Sequence, residues 1–574
     1  MTDIAVSSRG LLAAFSAAGV LTWGDVHPAQ QLAHLFGEAD ERVHLALALT
    51  VRALRSGSIC LEWARVRELG LGEDAVADVP EVLWPEESGW LDALRVSPAV
   101  TVGDGAPGQR PLRFADDALY LERHFGDQEA VRLGLLARLA AAVEPVPIEP
   151  VPVEPAPAPP AEAVPASGAT DEQQAAILLA LGQRVSVIAG GPGTGKTHTI
   201  RLLIEQLRAT EPDALVALAA PTGKAAARMT ASLRSVGLTA ATLHTLLGWR
   251  PDSRNRFVHD ATNPLPHDVV VVDEMSMVSM LLMSRLLAAL KPTARLVLVG
   301  DPDQLASVDA GSVLADIARA PATQGVVARL ERNHRFNRTI AALARAIRDG
   351  EPDAALAVLG AGGEEVSLAD GPSAASRLRQ RVVEPGVRLL EAAASGSVGS
   401  ALAALDEHRL LCGHRRGPFG VQHWTRQVVA WLSEAAPELA SEGEFATGRP
   451  VMVTANAPEF GLYNGDTGVL IADSATGPRA WFRQGDDLRS HSPFVVDGLT
   501  TVHAMTVHKA QGSQFAHVSV VLPPVGSPLL TRELLYTAVT RAESSVLLVG
   551  SADAVREAVT HPVRRMSGLA RRLT

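Results

Sequence analysis

The sequence predicts an α/β protein with two domains built on parallel sheets, a small β insertion in the second of them, and a helical domain at the N-terminus. Three observations support this fold class. A glycine-rich phosphate-loop motif follows an apolar run. β-type runs alternate with helical stretches after residue 168. A proline-rich tract, residues 144–168, separates this alternating region from a Leu- and Ala-rich segment.

The N-terminal segment, residues 1–143, carries apolar residues at helical spacing, as in Val43–Arg55 and Ala118–Ala142. It contains no constellation of catalytic residue types. We therefore interpret it as a helical domain that packs on, or binds, another protein.

The tract 144–168 has proline at nearly every second position. Proline removes backbone donors and favours extended polyproline II, so the tract is expected to be a semi-rigid linker that keeps the N-terminal domain apart from the rest. A proline-rich docking ligand is the alternative interpretation.

The first sheet domain is assigned to residues 169–325 and the second to residues 326–574, with the β insertion at about 449–500. In doubly wound sheets, ligands bind at the carboxyl ends of the strands. The β-type runs are Val185–Ala189, Leu215–Ala219, Val269–Val272 and Arg295–Val299 in the first domain, and Arg409–Cys412, Val518–Leu522 and Val546–Val549 in the second.

Lysine is rare in this chain, which makes each lysine informative. Lys and Arg total 52 residues, of which the lysines are Lys196, Lys224, Lys291 and Lys509. Lys196 lies in the pattern G-x-x-x-x-G-K-[ST], which ends at Thr197. In this motif backbone N–H groups surround an anion, the lysine reaches the terminal phosphates and the last hydroxyl ligates Mg²⁺. The motif, with the residue after it, comprises Gly190, Gly191, Pro192, Gly193, Thr194, Gly195, Lys196, Thr197 and His198.

Two carboxylates end a later apolar strand, at the position expected for nucleotide hydrolysis. Asp273 and Glu274 follow Val269–Val272. An acid at this edge holds Mg²⁺, and its neighbour orients the attacking water. We predict Thr197 and Asp273 as metal ligands. Gln304, after the following strand, is a neutral group suited to sensing the γ-phosphate.

Charge, cysteines and hydropathy limit the remaining classes of protein. The net charge of −11 argues against a passive DNA-coating protein, but it allows a motor with a narrow DNA track. Two distant cysteines favour neither a disulfide framework nor zinc, and they suggest a reducing cytoplasm. The first residues lack the pattern of a signal peptide, and no apolar stretch reaches the roughly 20 residues that span a bilayer.

The ordered motifs resemble those of superfamily 1 helicases. Gln173 resembles the adenine-reading glutamine, and Arg335 and Arg541 resemble the arginines that reach the γ-phosphate from the second motor domain. The segments that carry the resemblance are Asp171–Ala176, Ala220–Ala226, Thr242–Thr245, Glu331–Phe336, Ala504–Gln514 and Leu535–Ala542.

Within that superfamily the chain resembles the RecD family, the α subunits of bacterial exonuclease V, through Cys412–Val421, Gly448–Met452 and Tyr463–Gly468. The resemblance implies two RecA-like motor domains, ATP and Mg²⁺ as cofactors, and 5′→3′ movement on single-stranded DNA. It also implies RecB-like and RecC-like partners, with the nuclease in a partner, and a role in end resection and recombinational repair. His334 replaces the family's usual tyrosine, and Gln514 replaces a glutamate common in the superfamily.

The resemblance also implies roles for individual residues. The catalytic residues are Lys196, Asp273, Glu274, Gln304, Arg335 and Arg541. Gln173, the phosphate loop and both arginines bind ATP. DNA is contacted by Thr222, Lys224, His244, Thr245, Asn464, Thr506 and His508, although each polar group in this set also suits a helix cap or a turn. The alternatives are a stand-alone RecD-like helicase, a structural subunit with a decayed ATPase, and a P-loop kinase.

Overall fold

The computed structural model describes four structural parts joined in one chain. The described residues are 8–69, 84–105, 108–141, 169–250, 257–332, 338–361, 363–440, 443, 445–473, 477–485, 487–563 and 565–574. The tract 144–168 therefore lies outside them, together with the predictions made for its conformation. Among the described residues, no helix combines the length and hydropathy needed to cross a membrane.

The N-terminal domain contains the predicted helices and also a four-stranded sheet that the sequence analysis missed. The strands are only three or four residues long, too short to show a period of two. The sheet order is β1-β4-β3-β2. Its elements are α1 (Gly10–Ala17), α2 (Trp23–Leu35), α3 (Glu41–Arg55), β1 (Cys60–Glu62), α4 (Glu87–Val96), β2 (Val100–Val102), β3 (Leu112–Ala115), β4 (Ala118–Leu121) and α5 (Glu122–Ala140).

The segment Ala118–Ala142, predicted as one helix, begins as a strand. Ala118–Leu121 pairs with both β1 and β3, and the helix begins only at Glu122. The strand is held in place because the Tyr120 and Leu119 side chains are fully buried on opposite faces of the sheet. Tertiary packing therefore overrides the helical tendency of these residues.

The first motor domain has a six-stranded parallel sheet in the order β10-β5-β9-β8-β6-β7. Its last strand, Val327–Leu330, pairs with β5, so the sheet extends beyond the boundary predicted at residue 325. Its elements are α6 (Asp171–Gly182), β5 (Val185–Gly190), α7 (Lys196–Thr210), β6 (Val216–Ala220), α8 (Gly223–Ser232), β7 (Ala240–Thr242), α9 (Leu243–Leu246), β8 (Val269–Val272), α10 (Met280–Ala289), β9 (Arg295–Gly300), α11 (Val313–Arg319) and β10 (Val327–Leu330).

The second motor domain has a five-stranded parallel sheet in the order β11-β20-β19-β12-β18. Between β12 and β18 the chain forms an antiparallel sheet, β16-β15-β14-β13-β17, which is the small β insertion. The fold class predicted from the sequence is thus confirmed. The elements are α12 (Arg338–Asp349), α13 (Pro352–Gly360), β11 (Val366–Ala369), α14 (Ala374–Ala394), α15 (Val398–Glu407), β12 (His408–Cys412), α16 (Val421–Ala435), β13 (Pro450–Val453), β14 (Thr467–Asp473), β15 (Gly477–Gln484), β16 (Asp487–His491), β17 (Leu499–Thr501), β18 (Ala504–Thr506), β19 (Phe515–Val521), α17 (Arg532–Val539), β20 (Ala542–Val549), α18 (Ala552–Thr560) and α19 (Leu569–Arg572).

Short 3₁₀ helices of one or two turns connect several of these elements. They are Trp63–Glu68, Arg234–Val236, Met275–Met277, Pro321–Val326, Gly371–Ser373, Pro458–Phe460 and His508–Ala510.

The N-terminal domain packs directly on the first motor domain, so the expectation that the linker keeps them apart is wrong. Helix α5 lies along α10, and their apolar side chains belong to one hydrophobic cluster. The helices approach closely at Gly134, where a β-carbon would lie 3.2 Å from Cδ1 of Leu287. A motor cut out as residues 169–574 would expose this face of its core to water.

The C-terminal segment, residues 565–574, joins three parts of the molecule. Arg565 donates from Nη1 to the Ser307 carbonyl at 2.6 Å in the first motor domain. The Met566 carbonyl accepts a hydrogen bond from the N–H of Ile59 at 2.8 Å in the N-terminal domain. The segment therefore returns from the second motor domain to the shared core.

The core shared by α5 and α10 yields a matched pair of variants on one helix. Leu135→Ala, at a fully buried position, is expected to lower the free energy of unfolding by about 2–5 kcal/mol, because it leaves a cavity in the hydrophobic cluster that the two domains share. Leu133→Ala, where the side chain is 53% exposed, should change it by no more than about 0.5 kcal/mol. Chemical denaturation of each full-length variant measures both values, and equal values would contradict the shared core.

Candidate ATP site and nucleic-acid interface

The phosphate loop connects the end of β5 to the start of α7. Gly193 and Gly195 adopt φ values of 80° and 86°, a left-handed conformation that glycine accepts without steric cost. The loop thereby turns onto the N-terminus of α7, where backbone N–H groups and the helix dipole favour an anion.

Within the loop, side chains bond to backbone carbonyls. The ammonium of Lys196 donates to the carbonyls of Gly190 and Gly191 at 2.7 and 2.9 Å. The Thr194 hydroxyl donates to the Gly191 carbonyl at 2.8 Å. These bonds hold the lysine charge above the loop, within reach of an anion on the α7 terminus.

Asp273 and Glu274 leave β8 on the side of the sheet where the loop lies. Burial raises the pKa of Asp273 to about 6, repulsion from Glu274 adds to this effect, and the Lys196 charge opposes it. Glu274 has φ of 53°, uncommon for a residue with a side chain, and its N–H donates to Oδ1 of Asp273 at 2.8 Å. The turn places both carboxyl groups in one cleft.

A third acid, Asp301, was missed as a site residue by sequence reasoning. It follows β9 and is 2% exposed, and burial raises its pKa. Its Oδ2 accepts from Nε2 of Gln304 at 2.9 Å and from the Tyr536 hydroxyl at 3.1 Å. Because Tyr536 belongs to the second motor domain, Asp301 fixes the orientation of Gln304 and joins the two domains.

Arg541 enters the cleft from the second motor domain. It is 3% exposed, and its guanidinium donates from Nε to the Thr537 carbonyl at 3.1 Å and from Nη1 to the Ser513 carbonyl at 3.2 Å. Burial lowers its pKa, while Glu274 across the cleft opposes that effect. An arginine remains protonated under these conditions. A buried positive charge therefore faces the acids of the first domain.

Most of these groups line one cavity of about 390 Å³ between the motor domains, and Asp301 supports it through Gln304. The cavity brings together most of the predicted ATP-site residues, whereas Gly190, Gly191 and Thr194 of the described chain do not line it. Arg335 and His334 lie outside the described residues. The predicted residues that line the cavity are Gln173, Pro192, Gly193, Gly195, Lys196, Thr197, His198, Asp273, Glu274, Gln304 and Arg541.

The cavity wall also contains residues to which the sequence analysis gave no role. Two of them, Arg228 and Gln514, are joined by a hydrogen bond between their side chains. The others are Ala225, Met229 and Ser232. Arg228 follows the motif Ala220–Ala226, but nothing in the sequence indicated which way the side chain points.

The oxygen donors in this cavity suit a magnesium ion. The Thr197 hydroxyl and the Asp273 carboxylate both line it, and hydroxyl and carboxylate oxygens are the ligands that Mg²⁺ prefers. Burial and then repulsion from Glu274 raise the pKa of Asp273, and a bound cation relieves that repulsion. The residues present therefore fit the predicted metal.

Several hydroxyls predicted to bind DNA lie at the carboxyl ends of strands, where they cap helices or close turns. Thr222 accepts from the N–H of Ala225 at 3.2 Å at the start of α8. Thr245 shares a hydrogen bond of 2.8 Å with the Thr242 hydroxyl. Thr506 accepts from the N–H of Lys509 at 3.3 Å. Their contact with DNA stays a prediction.

Lys224 points across the interdomain contact. Its ammonium donates to the Gly465 carbonyl in the β insertion at 3.0 Å, and burial lowers its pKa while Asp466 opposes the effect. The Tyr463 ring covers Gly223, where a β-carbon would lie 2.0 Å from Cδ1 of the ring. The structure thus brings Lys224 beside the turn that contains the predicted Asn464.

The remaining predicted DNA residues differ in exposure. Asn464 is exposed, and its N–H donates to Oδ1 of Asn456 at 3.0 Å. His244 is exposed beside the Trp249 ring, with 6.2 Å between the ring centroids. His508 is half-buried, and burial lowers its pKa. Neutral imidazoles of this kind suit hydrogen bonds or stacking better than charge contacts.

Comparisons with known proteins agree with this architecture. A family model described as an AAA domain matches residues 168–366. The UvrD-like helicase C-terminal domain matches residues 501–549, and the N-terminal domain of RecBCD enzyme subunit RecD matches residues 17–120. The three models match parts of the N-terminal domain and of both motor domains, while residues 367–500, which include the β insertion, lie between the matched ranges.

Relatives extend the similarity over the full chain. RecBCD enzyme subunit RecD of Mycolicibacterium smegmatis is 46% identical over 587 residues, covering 98% of this chain and 99% of that protein. The ATP-dependent RecD2 DNA helicase of Deinococcus radiodurans is 34% identical, covering 67% of this chain and 50% of that protein. A solved Pif1 helicase from Candida albicans aligns at 17% identity with a TM-score of 0.41, over 67% of this chain and 96% of that one. The end-to-end identity to the first of these proteins shows that the chain belongs to the RecD family.

Proposed function

We propose that this ATP-dependent DNA helicase moves 5′→3′ on single-stranded DNA as one subunit of a heterotrimer with RecB-like and RecC-like chains, acting in recombinational repair of double-strand breaks. The observation that carries the enzymatic part is the shared cavity, whose walls come from both motor domains. A hydrolysis cycle in such a cavity alternately favours and releases the contact between the domains.

The residues of the first motor domain bind and orient the nucleotide. Lys196 and the loop N–H groups neutralise its terminal phosphates, and Gln304, held by Asp301, faces the same cavity. Glu274 is placed to orient the attacking water. Mg²⁺, when bound at Thr197 and Asp273, supplies further neutralisation of phosphate charge.

The residues of the second motor domain complete the site. Arg541 brings a charge that stabilises the transferring γ-phosphoryl group, the role of an arginine finger. Its backbone partners, the carbonyls of Thr537 and Ser513, hold the guanidinium in place. Arg335 is proposed for the same role on sequence grounds alone.

Chain coverage supports a subunit of a complex over a stand-alone helicase. The chain aligns with nearly the whole of the Mycolicibacterium smegmatis RecD, but with half of the Deinococcus radiodurans RecD2 helicase. Its N-terminal domain also exposes large apolar side chains, among them Trp23 at 60%, Leu35 at 74% and Val96 at 84%. Such residues suit burial against a partner, for which we propose a RecC-like subunit.

Lys196→Ala is expected to reduce DNA-stimulated ATP turnover by at least about a hundredfold, because the ammonium acts on phosphate charge at the reacting end. The thermal unfolding midpoint should hardly change, since the side chain bonds to carbonyls of its own loop. Lys291→Ala is the matched control, because Lys291 pairs with Asp268 at 3.2 Å, and neither residue lines the cavity. Substantial turnover in Lys196→Ala would contradict an active motor.

Arg541→Ala is expected to weaken hydrolysis far more than nucleotide binding, because the charge acts chiefly on the transition state. Fluorescent-nucleotide titration beside steady-state turnover separates the two effects, and Arg541→Lys tests whether any charge suffices. Arg556→Ala, at an exposed ion pair with Asp353, is the control. Lost affinity with normal turnover of the bound ATP would refute the role.

Direction of movement is tested on duplexes with one single-stranded tail. The full chain should unwind a duplex that carries a 5′ tail and leave one with a 3′ tail intact, with Lys196→Ala as the inactive control. Strand separation is followed by loss of energy transfer between dyes on the two strands. Preference for the 3′ tail would overturn the proposed polarity.

A further inference from the structure

Two positively charged side chains on one face of helix α8 extend to the second motor domain. Lys224 and Arg228 are four residues apart, so they lie one above the other on the helix surface. Lys224 bonds to Gly465 in the β insertion, next to the predicted DNA-binding Asn464. Arg228, one turn later, lines the ATP cavity. One rigid helix therefore spans the proposed DNA side and the ATP side.

Arg228 makes two bonds across the cleft. Its Nη1 donates to the Gly512 carbonyl at 2.9 Å, and its Nη2 donates to Oε1 of Gln514 at 2.7 Å. The planar guanidinium suits two acceptors at fixed spacing, which an ammonium cannot contact with the same geometry. The bonds therefore fix the Gln514 amide as well as the backbone before it.

The acceptors belong to a turn, residues 511–514, that other groups hold as well. Gln511 donates from Nε2 to the Leu305 carbonyl at 2.7 Å, next to Gln304. The Ser513 carbonyl accepts from Arg541 at 3.2 Å. The chain reaches this turn directly from the 3₁₀ turn His508–Ala510, whose first residue is a predicted DNA contact. The turn 511–514 thus lies between the proposed DNA contacts and the trans arginine.

We propose that Arg228 is a positioning residue that couples DNA binding to ATP hydrolysis, by holding the turn 511–514 of the second motor domain at the ATP cavity. The inference rests on the proposed function, because it requires a DNA-stimulated ATPase. DNA that contacts residues 506–508 moves or stiffens this turn. Arg228 and Arg541, on opposite sides of the cleft, both bond to the turn, so their side chains move with it. Arg228 acts through Gln514 and Gly512, and Arg541 acts on the phosphoryl group.

The test compares full-length variants at saturating ATP, with and without a single-stranded oligothymidylate. The measured quantity is the stimulation factor, the turnover number with DNA divided by the turnover number without it. The variants are Arg228→Ala, Arg228→Lys, Gln514→Ala and the double variant Arg228→Ala/Gln514→Ala. Arg208→Ala is the matched control, because Arg208 is an exposed arginine on the neighbouring helix α7. Thermal melting identifies any variant that fails to fold.

Arg228→Ala should reduce the stimulation factor at least about fivefold, with Arg228→Lys intermediate, since a single ammonium recovers one of the two bonds. The stimulation factor of the double variant should equal that of the more severely affected single variant within about twofold, because the two residues act through one contact. Arg208→Ala should match the wild type.

Three results would overturn the inference. They are a stimulation factor in Arg228→Ala equal to that of Arg208→Ala, an equal loss of turnover with and without DNA, or fully additive losses in the double variant. A wild-type chain without any stimulation by DNA would instead refute the proposed function itself. If Arg228→Ala does not fold, the intermediate stimulation factor of Arg228→Lys decides the question, since an unchanged factor there contradicts the bidentate contact.

Discussion

The hydrogen-bonded contact between the loop after β9 and the second motor domain is the constraint on which the ATP site depends. Leu305 donates its N–H to the Thr537 hydroxyl at 2.9 Å and accepts from Gln511 at 2.7 Å. These groups are buried, so breaking one partner leaves the other unsatisfied at considerable cost. Because Gln304 precedes Leu305 and Arg541 bonds to Thr537, the same contact sets the distance between the glutamine proposed to sense the nucleotide and the arginine proposed to act from the second motor domain.

The C-terminal segment, residues 565–574, ties the N-terminal domain to the motor domains and so restrains this contact. Arg572 in the C-terminal segment is nearly buried, and its guanidinium pairs with Asp104, Asp116 and Glu129 of the N-terminal domain at 3.2–3.3 Å. It also lies over the Phe125 ring at 4.7 Å from the centroid. Arg565, at the start of the same segment, bonds to the carbonyl of Ser307 in the first motor domain. A movement of the second motor domain is therefore transmitted to the N-terminal domain through residues 565–574. A partner bound to that domain would be mechanically linked to the motor.

The sequence predicted those features that depend on local chemistry. The phosphate loop and the pair Asp273–Glu274 are contiguous patterns, in which spacing along the chain fixes the geometry. The short strands of the N-terminal domain carry no periodic signal, and its packing on α10 depends on surfaces that meet only in the folded chain. Lys224 was predicted as a DNA contact from its motif, but its bond to Gly465 joins residues 241 positions apart. Arg228 was missed for the same reason, since both of its acceptors lie on the other motor domain.

The electrostatics of the cavity explain why the site needs both domains. Lys196 opposes the raised pKa of Asp273, and so does Arg228, but burial outweighs them and the pKa still rises to about 6. On the opposite wall, burial lowers the pKa of Arg541, and Glu274 counters that shift from across the cleft. Burial thus destabilises charges on both walls, and Glu274 of the first motor domain stabilises the Arg541 charge of the second from across the cleft. In the proposed function, a nucleotide bound with magnesium would supply a cation for the acids and an anion for Arg541, and so it would stabilise the contact between the two domains. Loss of that anion on hydrolysis and phosphate release would favour their separation.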